Sequence, residues 1–248
     1  TSYGSTGKIM FQIASNARNK NHEVYTCSMK WRNQVPLGQN HIYYGSFFEN
    51  AMHRLLGQLT GTNGQHSIIG TYRFLKEIEK INPDIIHLHN LHDFCINLPM
   101  LFEYIKKHDV PVVWTLHDCW AFTGQCPYFT LIKCDKWKHG CYQCPQYREY
   151  PASYIDRTKT MWKLKKKWFT GLKNMTIVTP SQWLAGLVKQ SYLKDYPLKT
   201  INNGIDLSVF KPTSSDFRER FGLNKKYIVL GVAFGWGKRK GLDVFIDL

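Results

Sequence analysis

Four cysteines fall within nineteen residues, at Cys126, Cys134, Cys141 and Cys144, spaced C-x7-C-x6-C-x2-C with His139 between them. A C-x2-C pair sets two thiolates on one tight turn, and two more thiolates from the same loop complete a tetrahedron around zinc. The segment from Thr123 to Gln146 is polar and aromatic and short of aliphatics, so it has little apolar area with which to order itself. A metal would supply that order. With all four protein ligands filled, the zinc expected here is structural, and no catalytic metal is expected. Two disulfides, or four reduced thiols that merely pack, are the alternatives. Disulfides need an oxidising compartment, and nothing else in the sequence suggests secretion. Cys119 is near enough to serve as a spare ligand, while Cys27 and Cys95 sit in apolar or loop surroundings.

A second set of candidates lies where strands end. His117-Asp118 closes the apolar run PVVWTL, and an imidazole there can donate to a substrate hydroxyl or a developing charge near neutral pH. His87-x-His89 places two rings on one strand face, with no carboxylate at ligand spacing, so a polar rim is expected of it rather than a metal site. The stretch Gly4-Ser5-Thr6-Gly7-Lys8 resembles half a P-loop but lacks the G-x4-G-K-[ST] spacing. Its small residues let backbone N–H groups and a helix N-terminus approach a diphosphate.

Positioning these groups requires alternating strands and helices, and the pattern provides them. Helices are predicted over 8–17, 46–59, 67–81, 98–107 and 153–172, with another capped by Ser181. Strands are predicted over 23–29, 84–89, 111–116 and 175–179, with one more ending at Ile201-Asn202-Asn203-Gly204. Alternation with buried-looking strands is the signature of an α/β fold built on a Rossmann-like, doubly wound parallel sheet, which binds ligands at the carboxyl ends of its strands. Residues 1–203 form this domain and 204–224 a polar linker with a short helix. Residues 225–248 open a second α/β unit with a strand over 227–232. The first strand is expected to be missing ahead of Thr1, and the second unit to stop mid-element.

The 248 residues carry 33 Lys and Arg against 18 Asp and Glu, a formal charge of +15, which points to a negatively charged partner. No apolar run approaches the roughly 20 residues of a membrane span, and no signal peptide is visible. Nucleic acid is not the expected partner, since no helix-turn-helix, RNP-like motif or DNA-reading finger spacing occurs. The helix around 157–173 carries seven Lys and Arg beside an apolar stripe of Met161, Leu164, Trp168 and Leu172. Its basic remainder is either an ordinary solvated face or a contact with an anionic lipid surface, and the two Trp tilt the reading toward the lipid.

Taken together, DIIHLHN (84–90), VVWTLHDCWAFTGQCPYF (112–129), CDKWKHGCYQCPQ (134–146), the Pro-Ser of VTPSQWLAG (178–186), INNGID (201–206) and KGLD (240–243) follow the order seen in family-four retaining glycosyltransferases. The likeness is to the bacterial branch that builds capsular, exopolysaccharide and colanic-acid-type glycans. It implies a GT-B fold of two Rossmann-like domains, with acceptor in the first and sugar nucleotide mainly in the second. By this resemblance Gly7 meets the donor diphosphate, His117 lines the cleft beside the transferred sugar with His89 and Asp118 near it, and Lys240 neutralises the leaving diphosphate. The family's usual second cation falls at Gly235, so Arg239 is the substitute. Its paired glutamates, E-x7-E, would lie beyond Leu248.

The implied reaction moves a sugar, with retention of configuration, from a UDP- or GDP-sugar to a polysaccharide or lipid-linked oligosaccharide at the cytoplasmic membrane face. Stabilising the departing diphosphate with lysine rather than a metal is the chemistry such a site needs. Two other classes compete with it. One is a Rossmann-like module that holds a nucleotide or glycan without chemistry; the other is a redox or metal-storage protein using the cysteine loop.

Overall fold

The computed structural model describes residues 4–30, 40–92, 94–233 and 235–248. The chain start at Thr1, Phe234 at the end of the last apolar run and the side chain of Lys238 lie outside the described residues. The chain divides into two units, Thr1–Asn203 and Gly204–Leu248, each taken by itself below.

In the first unit, α1 (Gly4–Arg18) leads to β1 (Thr26–Met29), β2 (His41–Tyr44), α2 (Phe47–Thr60) and α3 (Ile68–Ile81). Then β3 (Ile86–Leu88), α4 (Leu98–His108), β4 (Val112–Thr115), α5 (Thr158–Phe169), β5 (Met175–Thr179), α6 (Gln182–Val188) and β6 (Leu198–Thr200) alternate strictly. Every strand pairing is parallel. β1 pairs with β2, and β3-β4-β5-β6 form a four-stranded sheet in chain order, with Ile86 opposite Val112, Val112 opposite Met175 and Ile177 opposite Leu198. This is a mixed α/β fold with Rossmann-like parallel sheets.

Local chemistry sets the element ends. Ser46 caps α2 by accepting from the Glu49 N–H at 3.1 Å, Asn97 caps α4 through Met100 N–H at 3.1 Å, and Ser181 caps α6 through Leu184 N–H at 3.2 Å. The Glu49 carboxylate reaches across to the Gly70 N–H at 2.7 Å, and a Cβ on Gly70 would stand 2.5 Å from that carboxylate. Glycine is therefore what lets α3 approach α2.

Three expectations change. The helix predicted over 153–172 spans only 158–169. Its first residues are occupied elsewhere: Tyr154 N–H donates to Gln58 O at 2.9 Å, and Asp156 folds its carboxylate back onto Thr158 at 2.6 and 2.9 Å. β2 carries no prediction, because four residues of His-Ile-Tyr-Tyr are too short to show a period, and its pairing with β1 is what makes it a strand. The run 227–232 forms no ladder, since the described residues of the second unit contain no other strand to pair with; Tyr227 is fully exposed. That unit holds α7 (Phe217–Arg220) and α8 (Leu242–Ile246), the latter entered through a 3-10 turn at Lys238–Lys240.

The core lies between the four-stranded sheet and helices α4 and α5. Phe169 sits 4.6 Å from the Phe102 ring and 4.9 Å from Trp114, and Leu98, Ile105, Met161 and Ile177 complete the layer. Burying each such side chain contributes about 1.5–3 kcal/mol, which holds the carboxyl ends of β3 and β4 in place.

Candidate active site

The ends of β3 and β4 bring three imidazoles into one column. His87 and His89 stack at 4.4 Å, and His89 and His117 at 5.3 Å. The parallel register makes this column, because Ile86, His87 and Leu88 lie opposite Val112, Val113 and Trp114, so both chains leave the sheet on the same side. His89 Nδ1 is 3.0 Å from His117 Nε2, and His87 Nε2 is 2.8 Å from Thr115 Oγ1. The backbone behind His89 is fixed by the Trp114 indole N–H, which donates to His89 O at 3.0 Å.

Burial pushes His89 down to about 3, with His87 and His117 adding to the effect, and burial also lowers His117 against an opposing pull from Asp118. Both rings are therefore neutral at pH 7, and a single proton serves the His89–His117 bond. With Nε2 of His117 so engaged, its Nδ1 has no partner among the described residues.

Asp118 is pinned rather than presented. Its Oδ1 accepts the Trp120 N–H at 2.8 Å and its Oδ2 lies 2.9 Å from His92 Nε2, while His92 Nδ1 is 2.9 Å from the Tyr150 hydroxyl. Burial alone would raise the Asp118 carboxyl, but the His92 bond, the Trp120 N–H and nearby Lys165 together hold it below the usual range. A chain from Tyr150 through His92 and Asp118 thus fixes the turn that carries His117.

Gly7 is buried in the first turn of α1. The predicted loop ahead of a helix at Lys8 is instead helical from Gly4. The N–H groups without helical partners are then those of the opening turn itself, residues 4–7. Lys240 and Arg239 belong to the second unit, where both are exposed on the 3-10 turn before α8. The structure therefore gathers His89, His117 and Asp118 at one strand edge and leaves the two cations in the other unit.

Behind the turn lies the cysteine loop, packed on an aromatic stack in which Trp137 is 4.8 Å from Phe129 and 5.2 Å from Phe122. All seven cysteines are free thiols, and among the described residues no three His, Cys, Asp or Glu side chains stand ready to hold a metal ion. The four sulfurs nevertheless sense one another. Cys144 beside Cys126 favours the protonated form of Cys126 and the ionised form of Cys144, and Cys141 and Cys134 further favour the neutral thiol at Cys126. Burial raises Cys141 to about 11, partly offset by the Gly124 N–H on its sulfur at 3.1 Å.

Sequence reasoning missed His92, Tyr150 and Lys165. Lys165 is fully buried on α5, donating to Trp120 O with its ammonium 3.5 Å from the Trp120 ring centre, and burial pushes it down to about 7. A signal for it existed: 161, 165, 168 and 172 share one helical face with Met161, Trp168 and Leu172. The lipid role expected of the α5 tryptophans is not available to them. Trp162 and Trp168 are both buried, and the Trp162 indole N–H donates to Trp137 O at 2.8 Å.

A family model described as Glycosyltransferase Family 4 matches residues 6–209. The WcaC protein of Escherichia coli (strain K12), whose name describes a glycosyl transferase of colanic acid biosynthesis, is 35% identical over 133 residues, covering 51% of this chain and 32% of WcaC. The chain thus spans about a third of the length of that relative.

Proposed function

The chain belongs to glycosyltransferase family 4, and from that premise we propose that the protein moves a sugar from a UDP- or GDP-sugar to a polysaccharide or lipid-linked oligosaccharide in exopolysaccharide biosynthesis, with retention of configuration. One observation carries this reading: a neutral, half-buried His117, bonded to His89 through one ring nitrogen, stands just past the carboxyl end of β4, where parallel sheets take their ligands. His117 hydrogen-bonds the transferred sugar. The α1 opening turn at Gly7 presents backbone N–H groups to the diphosphate, and Lys240, with Arg239 as second cation, stabilises the charge that develops on the leaving group. No catalytic metal is needed in this scheme.

The acceptor reaches the enzyme at the cytoplasmic face of an anionic membrane. No described helix is long and apolar enough to cross a bilayer. What supports a surface contact is the +15 charge together with Phe48, Met52, Leu55 and Leu59, exposed at helical spacing on α2. Cosedimentation with anionic vesicles that drops in a Phe48→Ser, Leu55→Ser variant is the expected result.

The decisive test uses the full-length protein with UDP- and GDP-sugars and a lipid-linked acceptor. NMR of the product should show the donor's anomeric configuration, and His117→Ala should lower transfer on the order of 10²–10³-fold while leaving the fold intact. Donor binding without turnover under any of these donors would instead make the protein a nucleotide- or glycan-holding module.

A further inference from the structure

Lys165 carries its charge into the core, on the same face of α5 as Met161, Trp162, Trp168 and Phe169, and has no accessible surface. It forms no ion pair with a carboxylate among the described residues; its ammonium donates to Trp120 O and lies 3.5 Å from the centre of the Trp120 ring. Taking a cation out of water without a carboxylate at its side is costly. Packing between helix and turn needs only an apolar chain of similar volume, such as methionine.

We propose that Lys165 is a positioning residue for the sugar-transfer site, holding His117 in place from within the core through Trp120 and Asp118. This role rests on His117 being the residue that meets the transferred sugar.

Trp120 is held at both ends of its backbone. Its N–H donates to Asp118 Oδ1 at 2.8 Å and its carbonyl accepts from Lys165, while its ring meets the Lys165 ammonium and, at 5.4 Å, the His92 ring. Asp118 Oδ2 in turn lies 2.9 Å from His92 Nε2, so one carboxylate ties the segment after β3 to the turn after β4. Those two segments carry His89 and His117, whose Nδ1 and Nε2 are 3.0 Å apart. A shift of Trp120 therefore moves Asp118 and His92 together, and the imidazole pair with them. Charge acts in the same direction: Lys165 is among the groups that keep Asp118 ionised, and an ionised carboxylate accepts more strongly from its donors. Tyr192 supplies the contrast. It is also buried, and its hydroxyl donates at 2.5 Å to Ala121 O, the next carbonyl of the same 3-10 turn, Trp120–Phe122. Both side chains satisfy a carbonyl of that turn, but of the two it is Lys165 that bonds to Trp120 and brings a cation.

Full-length enzyme carrying Lys165→Met should lose transfer on the order of 10²-fold, the cost of misplacing a reacting group by about 1 Å. The loss should fall in kcat, with the KM for donor little changed. Tyr192→Phe, which removes the neighbouring bond, should leave kcat nearly unchanged. Because Lys165 acts through Asp118, adding Lys165→Met to Asp118→Asn should lower transfer no further than Asp118→Asn alone, whereas a lysine that only supports the fold would add its loss independently. Imidazole nitrogen NMR reads the same arrangement without turnover: the His89 and His117 signals should change in Lys165→Met and hold in Tyr192→Phe. Where Lys165→Met fails to fold, Asp118→Asn decides, since the coupling is reciprocal and the Lys165 ammonium resonance should move in that variant. Unchanged kcat and imidazole signals in folded Lys165→Met, equal losses in Lys165→Met and Tyr192→Phe, or an unmoved ammonium resonance in Asp118→Asn would overturn the proposal. Absence of transfer with any donor in the wild type would remove the sugar-contact role of His117 itself, and the imidazole spectra would still decide whether Lys165 sets that ring.

Discussion

The turn after β4 and the cysteine loop that follows it are neighbours in sequence, yet they are held by different means. At the turn, the chain from Tyr150 through His92 to Asp118 and the Trp120 N–H spends directional hydrogen bonds on a few polar atoms, and the His89–His117 pair adds another. The loop rests on ring stacking around Trp137 and leaves polar atoms of Trp137 and Gln146 buried without partners. The contrast separates two tasks. A side chain that must meet a substrate at one position needs bonds that fix direction, while a loop that only needs to stay folded can rely on area.

Breaking the stack should cost most. Trp137→Ala removes a fully buried indole, and an unfolding series in urea should show about 3–5 kcal/mol lost. At the turn the order of effects inverts. His117→Ala should lower transfer by the full-length enzyme on the order of 10²–10³-fold, as for loss of one donor to developing charge, with the urea midpoint nearly unchanged. A large midpoint shift would show the ring to be structural and would dissolve the comparison.

Asp118→Asn sharpens it further, removing a charge-assisted bond for about 1.5–3 kcal/mol. The pH dependence follows from the same groups. His89 and His117 are lowered on folding, so their contribution is complete above the unfolded value of about 6.5 and declines as the pH falls toward the native value, about 3 for His89. Asp118 is also lowered, so its contribution is complete above its unfolded value of about 4 and is lost as the pH falls through its native one. Acid titration by circular dichroism should show the wild type losing stability from below pH 6.5, with His89→Asn flattening the upper part of the decline and Asp118→Asn the lower. The smallest effect is expected at Ser181→Ala, about 1 kcal/mol from the lost cap of α6, with no change at either region.

Much of this was legible in the chain. The strands at 86–88, 112–115 and 175–179 announce themselves as apolar runs, and Ser46 and Ser181 as caps, because these signals are local. His117, His89 and Asp118 stand out because they close such runs. His92 and Tyr150 do not, since they are 58 residues apart and only the packed loops bring them together. Lys165 was obscured by the basic residues around it, and its place on the buried stripe of α5 is the one signal that could have singled it out. The run 227–232 shows the opposite failure: apolar character makes a strand only where a neighbour supplies the ladder.

The pairing of β4 with β5 sets Val112 beside Met175, about 60 residues later, with the cysteine loop and α5 between them. At a synthesis rate of ~5–20 residues per second, β4 waits roughly 3–12 s for that neighbour to emerge. For that interval one edge of the sheet is unprotected, and early order in the cysteine loop would shorten the span of chain still to be closed. Loosening the loop by Trp137→Ala should then raise the aggregated fraction of newly made chains more than its effect on the folded protein alone accounts for.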